Sequence, residues 1–364
     1  MWSALRRKIP NESGVLIVDD TGVAKRGTQS VGVARQYSGT LGKVGVCQVV
    51  VSTVLRTKRC TWPLGMDLYM PQEWIDDDHR REIASVPSDL RFRKKWEIAL
   101  DQIDESLASG IQVCCVTADS AYGNTAAFRE GLDDRGLQYV VAIKVTDKAF
   151  AKPPNFVVPK QKNRHLGGRP RTKGFVASRD PKPETVRQIA KRIPEEQWQT
   201  VAWRKGSKGV LQGEFVAVRV TPSQQWHNGK QSKACWLLCG RAIGGKQATQ
   251  FHFSNLPEDT SLKKLVQLAR TRWPIEQSYE QLKDELSLDH FEGRSYPGFH
   301  HHLVLTAMAF TFLQLERQRS RAEQPPTLNA LRLSVTELVT AQLFASGERF
   351  SKLVTEFARD PPDF

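Results

Sequence analysis

The stretch Arg272-Trp273-Pro274-Ile275-Glu276-Gln277-Ser278-Tyr279-Glu280-Gln281-Leu282-Lys283 combines a carboxylate with two cations at helical spacing. Arg272, Glu276 and Lys283 stand at i, i+4 and i+11, so on one continuous helix their side chains fall within roughly 40° of one another. Pro274 can instead begin a new helix, and Arg272 would then lie just outside it. A carboxylate flanked by cations is suited to two-metal phosphoryl chemistry, in which one group holds a cation and the others hold phosphates.

Two short apolar runs upstream each end in aspartate. Residues 15–18 precede Asp19 and Asp20, and residues 111–117 lead to Asp119. Their β-branched content predicts strands, which would hold each aspartate at a strand end. Because successive side chains of a strand point to opposite faces, only one of Asp19 and Asp20 can point into a shared site.

The charge of the chain favours a polyanionic partner. Lys and Arg total 53 against 39 Asp and Glu, which gives a formal net charge of +14. Nucleic acid is the simplest such partner, although a basic but otherwise ordinary enzyme would have the same composition. The longest apolar stretch, residues 303–315, is too short to span a bilayer, and no apolar segment follows the N-terminal arginines. We therefore predict a cytoplasmic, nucleoid-associated protein with no membrane partner.

The order of predicted elements over residues 14–150 is three strands, helix, strand, helix, strand. This order fits a ribonuclease-H-like α/β fold, a mixed sheet flanked by helices, but other α/β folds share it. Residues 151–258 depart from it and predict a β-rich insertion domain. Residues 259–316 would complete the first domain and carry Glu276. Residues 1–13 form a short lead, and residues 317–364 a helical C-terminal tail.

A basic run from 159 to 173 lies inside the predicted insertion and contains no acidic residue. Its composition predicts an exposed segment, which either contacts DNA or is merely solvated. Its six cations are Lys160, Lys162, Arg164, Arg169, Arg171 and Lys173.

Five blocks of the chain resemble, in the same order, one group of bacterial insertion-sequence transposases of the DDE superfamily. Arg272, Glu276 and Lys283 match the R-(3)-E-(6)-K part of the signature of that group. The resemblance covers roughly residues 14 to 316. The five blocks are 19–22 (Asp-Asp-Thr-Gly), 30–43, 118–123 (Ala-Asp-Ser-Ala-Tyr-Gly), 272–283 and 288–302.

The resemblance implies Asp20, Asp119 and Glu276 as catalytic ligands of two Mg²⁺ ions, for which Mn²⁺ would substitute. Asp20 is preferred to Asp19 because it directly precedes the threonine of the block. Arg272, Lys283 and the basic run would bind DNA. The implied activity is Mg²⁺-dependent hydrolysis at transposon ends and strand transfer into target DNA. The partners would be double-stranded DNA and a second copy of the chain, with no small-molecule substrate.

The chain departs from the group in two places. Ala269 stands where the wider signature has tyrosine, and only 18 residues precede Asp19. Two alternatives therefore stay open. One is a catalytically decayed or truncated relative that still binds DNA, and the other is a metal-dependent nuclease of the same fold.

Overall fold

The computed structural model describes residues 3, 6–7, 9, 11–39, 42–157, 173–177, 182–206, 209–224, 232–319, 326–345, 347 and 352. The 3₁₀ turns include Glu195–Gln197 and Arg270–Arg272. The strands are β1 (Gly14–Ala24), β2 (Ala34–Ser38), β3 (Lys43–Arg56), β4 (Thr61–Leu68), β5 (Val113–Ala118), β6 (Tyr139–Ala142), β7 (Lys148–Phe150), β8 (Phe156–Val157), β9 (Phe175–Val176), β10 (Glu184–Thr185), β11 (Gln199–Gly206), β12 (Gly209–Pro222), β13 (Cys235–Arg241) and β14 (Gln250–Ser254). The helices are α1 (Gln72–Ile75), α2 (Asp78–Ile83), α3 (Lys95–Ala108), α4 (Ser120–Gly123), α5 (Ala126–Asp134), α6 (Val186–Lys191), α7 (Leu262–Ala269), α8 (Trp273–Asp284), α9 (Tyr296–Arg319) and α10 (Leu328–Ala345).

The first half of the main sheet has the order β2-β3-β1-β5-β6. β1 pairs antiparallel with β3 and parallel with β5, and β5 pairs parallel with β6. β4 pairs with β3 beside β2. Helices pack against this mixed sheet, with α3 against β3 and β4 and with α9 against β4. The predicted α/β, ribonuclease-H-like class is confirmed, with extra strands.

The strands between residues 199 and 254 extend the same sheet. β14 pairs with β6, β13 with β14, and β12 with β13, while β11 pairs with β12. The predicted β-rich character of this segment agrees with these strands, but the predicted domain boundaries stay predictions. Of the basic run, only Lys173 is described, and it is exposed. The other five cations, Lys160, Lys162, Arg164, Arg169 and Arg171, lie outside the described residues.

β1 separates two hydrophobic clusters and runs further than its composition predicts. Leu16 and Val18 belong to the cluster that includes residues of α3, whereas Ile17 belongs to the cluster that includes residues of α8 and α9. The expectation that the strand ends before Asp19 and Asp20 is wrong. The ladder with the 14-residue β3 continues through both aspartates as far as Ala24, so cross-strand pairing overrides the local polarity.

Helix α8 is fixed to the sheet by buried polar contacts. Pro274 lies in its first turn, where the missing N–H costs no helical hydrogen bond. The Tyr279 hydroxyl lies 2.6 Å from Ser52 Oγ of β3, and Ser278 Oγ lies 3.1 Å from Thr61 Oγ1 of β4. These contacts set the height of the helix over the strand that carries Asp19 and Asp20.

The apolar stretch at 303–315 lies in α9, which packs its buried residues into the cluster around Phe299 and Phe310. No helix in the described ranges is long and apolar enough to cross a membrane.

Candidate catalytic site

The parallel pairing of β1 with β5 brings the predicted aspartates together. The last register pair is Val18 with Ala118, so Asp19 and Asp119 each follow that pair directly. Sequence spacing alone does not fix this register. The structure therefore places two carboxylate-bearing segments, which are far apart in the chain, side by side at the end of the paired region of β1 and β5.

Arg272 joins Asp19 to Glu276. Its Nη1 donates to Asp19 Oδ2 at 2.6 Å and its Nη2 donates to Glu276 Oε1 at 2.5 Å. Arg272 lies just before α8, in a 3₁₀ turn whose right-handed helical backbone continues into that helix. The i,i+4 pairing with Glu276 predicted for a continuous helix is therefore present although Pro274 intervenes. A guanidinium group can bridge two carboxylates in this way because its N–H donors fan out in one plane.

Asp20 lies on the opposite face of β1 from Asp19, as strand alternation requires. Its Oδ2 accepts a hydrogen bond from Lys95 Nζ of α3 at 3.1 Å, and the Tyr122 hydroxyl lies 3.5 Å from the same oxygen. Its side chain is about 15% exposed. Each of the two neighbouring aspartates is therefore paired with a cation from a different helix layer.

Asp119 is the N-cap of the four-residue helix α4. Its Oδ1 accepts hydrogen bonds from the backbone N–H of Ala121 at 2.9 Å and of Tyr122 at 3.4 Å. Capping fixes the side chain, because two backbone donors fix the position of one oxygen. Oδ2 accepts no hydrogen bond from the described residues. A capping role and a ligand role are therefore compatible in the same side chain.

Burial and crowding raise the pKa of two carboxyl groups in this cluster. Burial raises the pKa of Asp19 to about 7, with further increases from the charges of Asp119 and Asp20 and a decrease from Arg272. Burial and the neighbouring Asp20 charge also raise the pKa of Asp119. Accumulated negative charge in a poorly solvated place is what a bound cation would relieve.

The clustered side chains offer carboxylate oxygens, which are the ligands that hard divalent cations prefer. Among the described residues, however, no three His, Cys, Asp or Glu side chains are grouped so that they could hold one ion. Two of the carboxylates are engaged in ion pairs instead: Glu276 is bound to Arg272, and Asp20 is bound to Lys95. Metal binding through these residues requires that the carboxylates exchange their cationic partners for the ion.

Lys283 lies further along α8, and its Nζ donates to the carbonyl of Gly22 in β1 at 3.0 Å. Burial lowers its pKa. This contact ties the end of α8 to β1. The predicted phosphate contacts of Lys283 and Arg272 stay predictions, since both side chains are engaged within the protein.

Three residues of the site have no counterpart among the sequence predictions: Lys95, Tyr122 and His252. Tyr122 lies inside the block 118–123, so its position was marked by that block although its role was not. Lys95 and His252 carry no local pattern, because their positions depend on long-range packing. His252 of β14 lines a cleft of about 410 Å³ that is also bordered by Arg272 and Glu276.

His252 predicts a pH dependence of folding stability. Burial, together with the charges of Arg270 and Arg272, lowers the pKa of His252 to about 3. The unfolded chain binds a proton near pH 6.5 and the folded chain does not, so stability is complete above pH 6.5 and falls as the pH decreases towards 3. One such group lowers the free energy of unfolding by at most about 1.4 kcal/mol for each pH unit of acidification. We expect His252→Gln to abolish this contribution.

Urea unfolding of both proteins between pH 7 and pH 4 measures this difference. The raised carboxyl groups Asp19 and Asp119 act in the opposite direction, but they are common to both proteins and cancel in the comparison. Parallel stability curves for wild type and variant would contradict the assignment to His252.

Comparison with known proteins agrees with the geometry of this site. Residues 1–210, more than half of the chain, match the family model described as DDE superfamily endonuclease. The chain therefore belongs to the DDE superfamily endonuclease family, which confirms the resemblance found in the sequence. A segment of 133 residues is 35% identical to a probable transposase for insertion sequence element IS701 from Microchaete diplosiphon. That segment is 36% of this chain and 32% of the relative, so the chain spans about a third of the relative's length.

Proposed function

We propose that this protein is a DNA transposase that hydrolyses phosphodiester bonds at transposon ends and transfers the freed strands into target DNA. The observation that carries the proposal is the convergence of Asp119 with Asp19 and Asp20, with Glu276 joined to the same cluster through Arg272. Membership of the DDE superfamily endonuclease family and the name of the IS701 relative support it.

Asp20, Asp119 and Glu276 are the proposed ligands of two Mg²⁺ ions, which Mn²⁺ would replace. When bound, such ions supply Lewis acidity and an activated water for attack on the phosphodiester. The capped Asp119 and the strand-borne Asp20 are rigid ligands, since their backbones are fixed by hydrogen bonds. Glu276 is about 51% exposed on its side chain and is the ligand that has to move, away from Arg272.

Asp19 has a separate role in this proposal as a positioning residue. Its ion pair holds the Arg272 guanidinium beside the cluster when Glu276 turns away. Arg272 then retains donors that can meet the charge of the scissile phosphate. Arg272 thus serves first to keep Glu276 near the aspartates and afterwards to bind substrate.

Double-stranded DNA is the proposed partner, both as transposon ends and as target. The net charge of +14 supports it, because phosphate contacts by Lys and Arg dominate the affinity for DNA. Lys283 and the basic run at 159–173 are proposed DNA contacts. Joining two transposon ends to one target requires two active sites, so a homodimer on DNA is proposed, in the cytoplasm at the nucleoid.

Cleavage of a supercoiled plasmid that carries the element's own ends tests the function. Wild type with Mg²⁺ is expected to cut at the ends, and EDTA is expected to abolish the cuts. Glu276→Gln keeps the size of the side chain but removes the charge, and we expect about a hundredfold slower cleavage with DNA binding retained.

Other outcomes identify the alternatives. End binding without cleavage by either protein would favour a decayed relative that only binds DNA, for which Ala269 at the signature tyrosine position is the motivating observation. Mg²⁺-dependent cleavage of generic duplex without preference for the ends would favour a nuclease. Cleavage that is equal in wild type and Glu276→Gln would exclude the assigned ligand.

A further inference from the structure

A second cleft, of about 330 Å³, lies beside α8 and is lined by five arginines and no Asp, Glu or Lys. The arginines come from five separate places in the fold: the end of β3, the turn after it, β11, the 3₁₀ turn before α8, and the end of α9. This cleft is called the arginine pocket below. Its arginines are Arg56, Arg59, Arg204, Arg270 and Arg317.

No carboxylate among the described residues lies within ion-pair distance of any of the five arginines. Arg272, which follows Arg270 by two residues, differs from them because it forms ion pairs with Asp19 and Glu276. Burial lowers the pKa of Arg56, and the charges of Arg204 and Arg317 lower it further. Like charges are thus held together without internal compensation, an arrangement that costs stability unless an anion is bound.

Unsatisfied polar atoms point to a missing ligand. The Nε atoms of Arg270 and Arg317 are buried and have no hydrogen-bond partner among the described residues, and neither does Gln314 Oε1 in the same lining. Buried donors without partners are rare in folded proteins because each costs about 1–3 kcal/mol. Two of them in one pocket, both on guanidinium groups, are matched by an acceptor-rich anion such as a phosphate.

The arginine pocket adjoins the cleft of about 410 Å³ bordered by Arg272 and Glu276, which is called the catalytic cleft below. Arg270 and Trp273 line both of them. Arg204 lies over the Trp273 ring at 4.6 Å, and Arg270 lies over the Trp203 ring at 4.5 Å, so stacking restrains both guanidinium groups. Cationic side chains therefore continue from Arg272 at the carboxylates, past Trp273, into the pocket.

We propose that the arginine pocket binds consecutive backbone phosphates of the DNA strand that leaves the catalytic site on the Trp273 side. The proposal rests on the proposed function, since it takes the strand in the catalytic cleft to be DNA. A continuous strand accounts for two features that a small anion does not. These are the number of arginines, which exceeds what one phosphate can bind, and the shared wall with the catalytic cleft. Arginine suits this role because its planar fork binds phosphate oxygens in pairs.

The test compares Arg56→Gln/Arg317→Gln with wild type and with Arg187→Gln in the full-length chain. Arg187 is an exposed arginine at the start of α6, directly after β10, outside the lining of the arginine pocket, and it has no ion pair among the described residues. Affinity for a duplex carrying the element end is measured by fluorescence anisotropy at several salt concentrations. The double variant is expected to bind about tenfold more weakly, and the slope of log K against log salt is expected to fall by about 1.8, or about 0.9 for each lost phosphate contact.

A second readout uses the protein without DNA. Because the substitutions remove uncompensated charge, the double variant is expected to melt about 1–2 °C above wild type in low salt. Weakened DNA binding with a higher melting temperature supports the pocket, since loss of a structural arginine would lower that temperature. Unchanged DNA affinity and slope would overturn the proposal, as would an equal loss in Arg187→Gln. Stabilisation of wild type by inorganic pyrophosphate alone, with unchanged DNA affinity in the double variant, would identify a small-anion site and also overturn it.

Cleavage at the ends separates the two proposals. If wild type does not cleave but the double variant still loses DNA affinity and slope, the pocket stands as a DNA contact while the proposed transposase activity fails. If wild type cleaves and the double variant binds and cleaves like wild type, the pocket fails while the activity stands.

Discussion

Asp20→Asn is expected to slow Mg²⁺-dependent cleavage at the transposon ends by about a thousandfold or more, which corresponds to about 4 kcal/mol of activation free energy. The change replaces one oxygen by an amide group and removes the charge that would hold a cation between β1 and β5. It also leaves Lys95 without the carboxylate that it now binds at 3.1 Å. An uncompensated lysine close to the ligand position would disfavour metal binding further.

Asp19→Asn gives the contrasting result, because Asp19 acts through Arg272. The amide oxygen can still accept a hydrogen bond from Nη1, so we expect cleavage to slow only about tenfold to a hundredfold. Asp259 is exposed and has no ion pair among the described residues, so Asp259→Asn serves as a matched control with no expected effect.

The thermal shift produced by Mg²⁺ separates a ligand from a positioning residue. Wild type and Asp19→Asn are expected to be stabilised by Mg²⁺, whereas Asp20→Asn is expected to lose that stabilisation. The opposite order, with Asp19→Asn more damaging in both rate and thermal shift, would make Asp19 the metal ligand. The choice of Asp20 made from the block Asp-Asp-Thr-Gly would then be wrong.

The core strands could be predicted from the sequence because their pattern is local. β1, β5 and β6 are short apolar runs rich in β-branched residues, and such runs specify buried strands wherever they occur. The length of β1 could not be predicted in the same way. Its continuation through Asp19 and Asp20 depends on pairing with β3, a partner that begins almost twenty residues later in the chain.

The candidate site shows the same difference between local patterns, which can be predicted, and long-range contacts, which cannot. Asp20, Asp119, Glu276, Arg272 and Lys283 all stand in blocks that the sequence marks, and the structure brings these blocks to one region. The ion pairs that connect them were not predictable, because Arg272 reaches Asp19 across 253 positions and that contact depends on how α8 sits on β1. The arginine pocket was missed for the same reason, since its five members come from separate elements and form no run in the sequence.

Gly123→Ala is expected to be the most destabilising small substitution near the site. A Cβ at Gly123, at the end of α4, would lie 1.9 Å from the carbonyl oxygen of Ala142 in β6. The obstacle is backbone that belongs to the sheet, so it cannot turn aside as a flexible side chain would. The carbonyl of Gly123 also accepts a hydrogen bond from the buried guanidinium of Arg129, which holds it in place.

Either α4 or β6 must therefore shift, and we expect the free energy of unfolding to fall by about 3 kcal/mol and the melting temperature by about 4 °C. Gly39→Ala is the matched control, because a Cβ there meets nothing within 4 Å. Its melting temperature is expected to stay within about 2 °C of wild type.

Because Asp119 caps α4 through Ala121 and Tyr122, a shift of this helix would also displace the proposed ligand. Cleavage by Gly123→Ala is accordingly expected to be impaired even well below its melting temperature, where the protein is folded. A variant with wild-type melting temperature would show that α4 relaxes away from β6 at little cost. A destabilised variant with wild-type cleavage rate at low temperature would show that the position of α4 does not control Asp119.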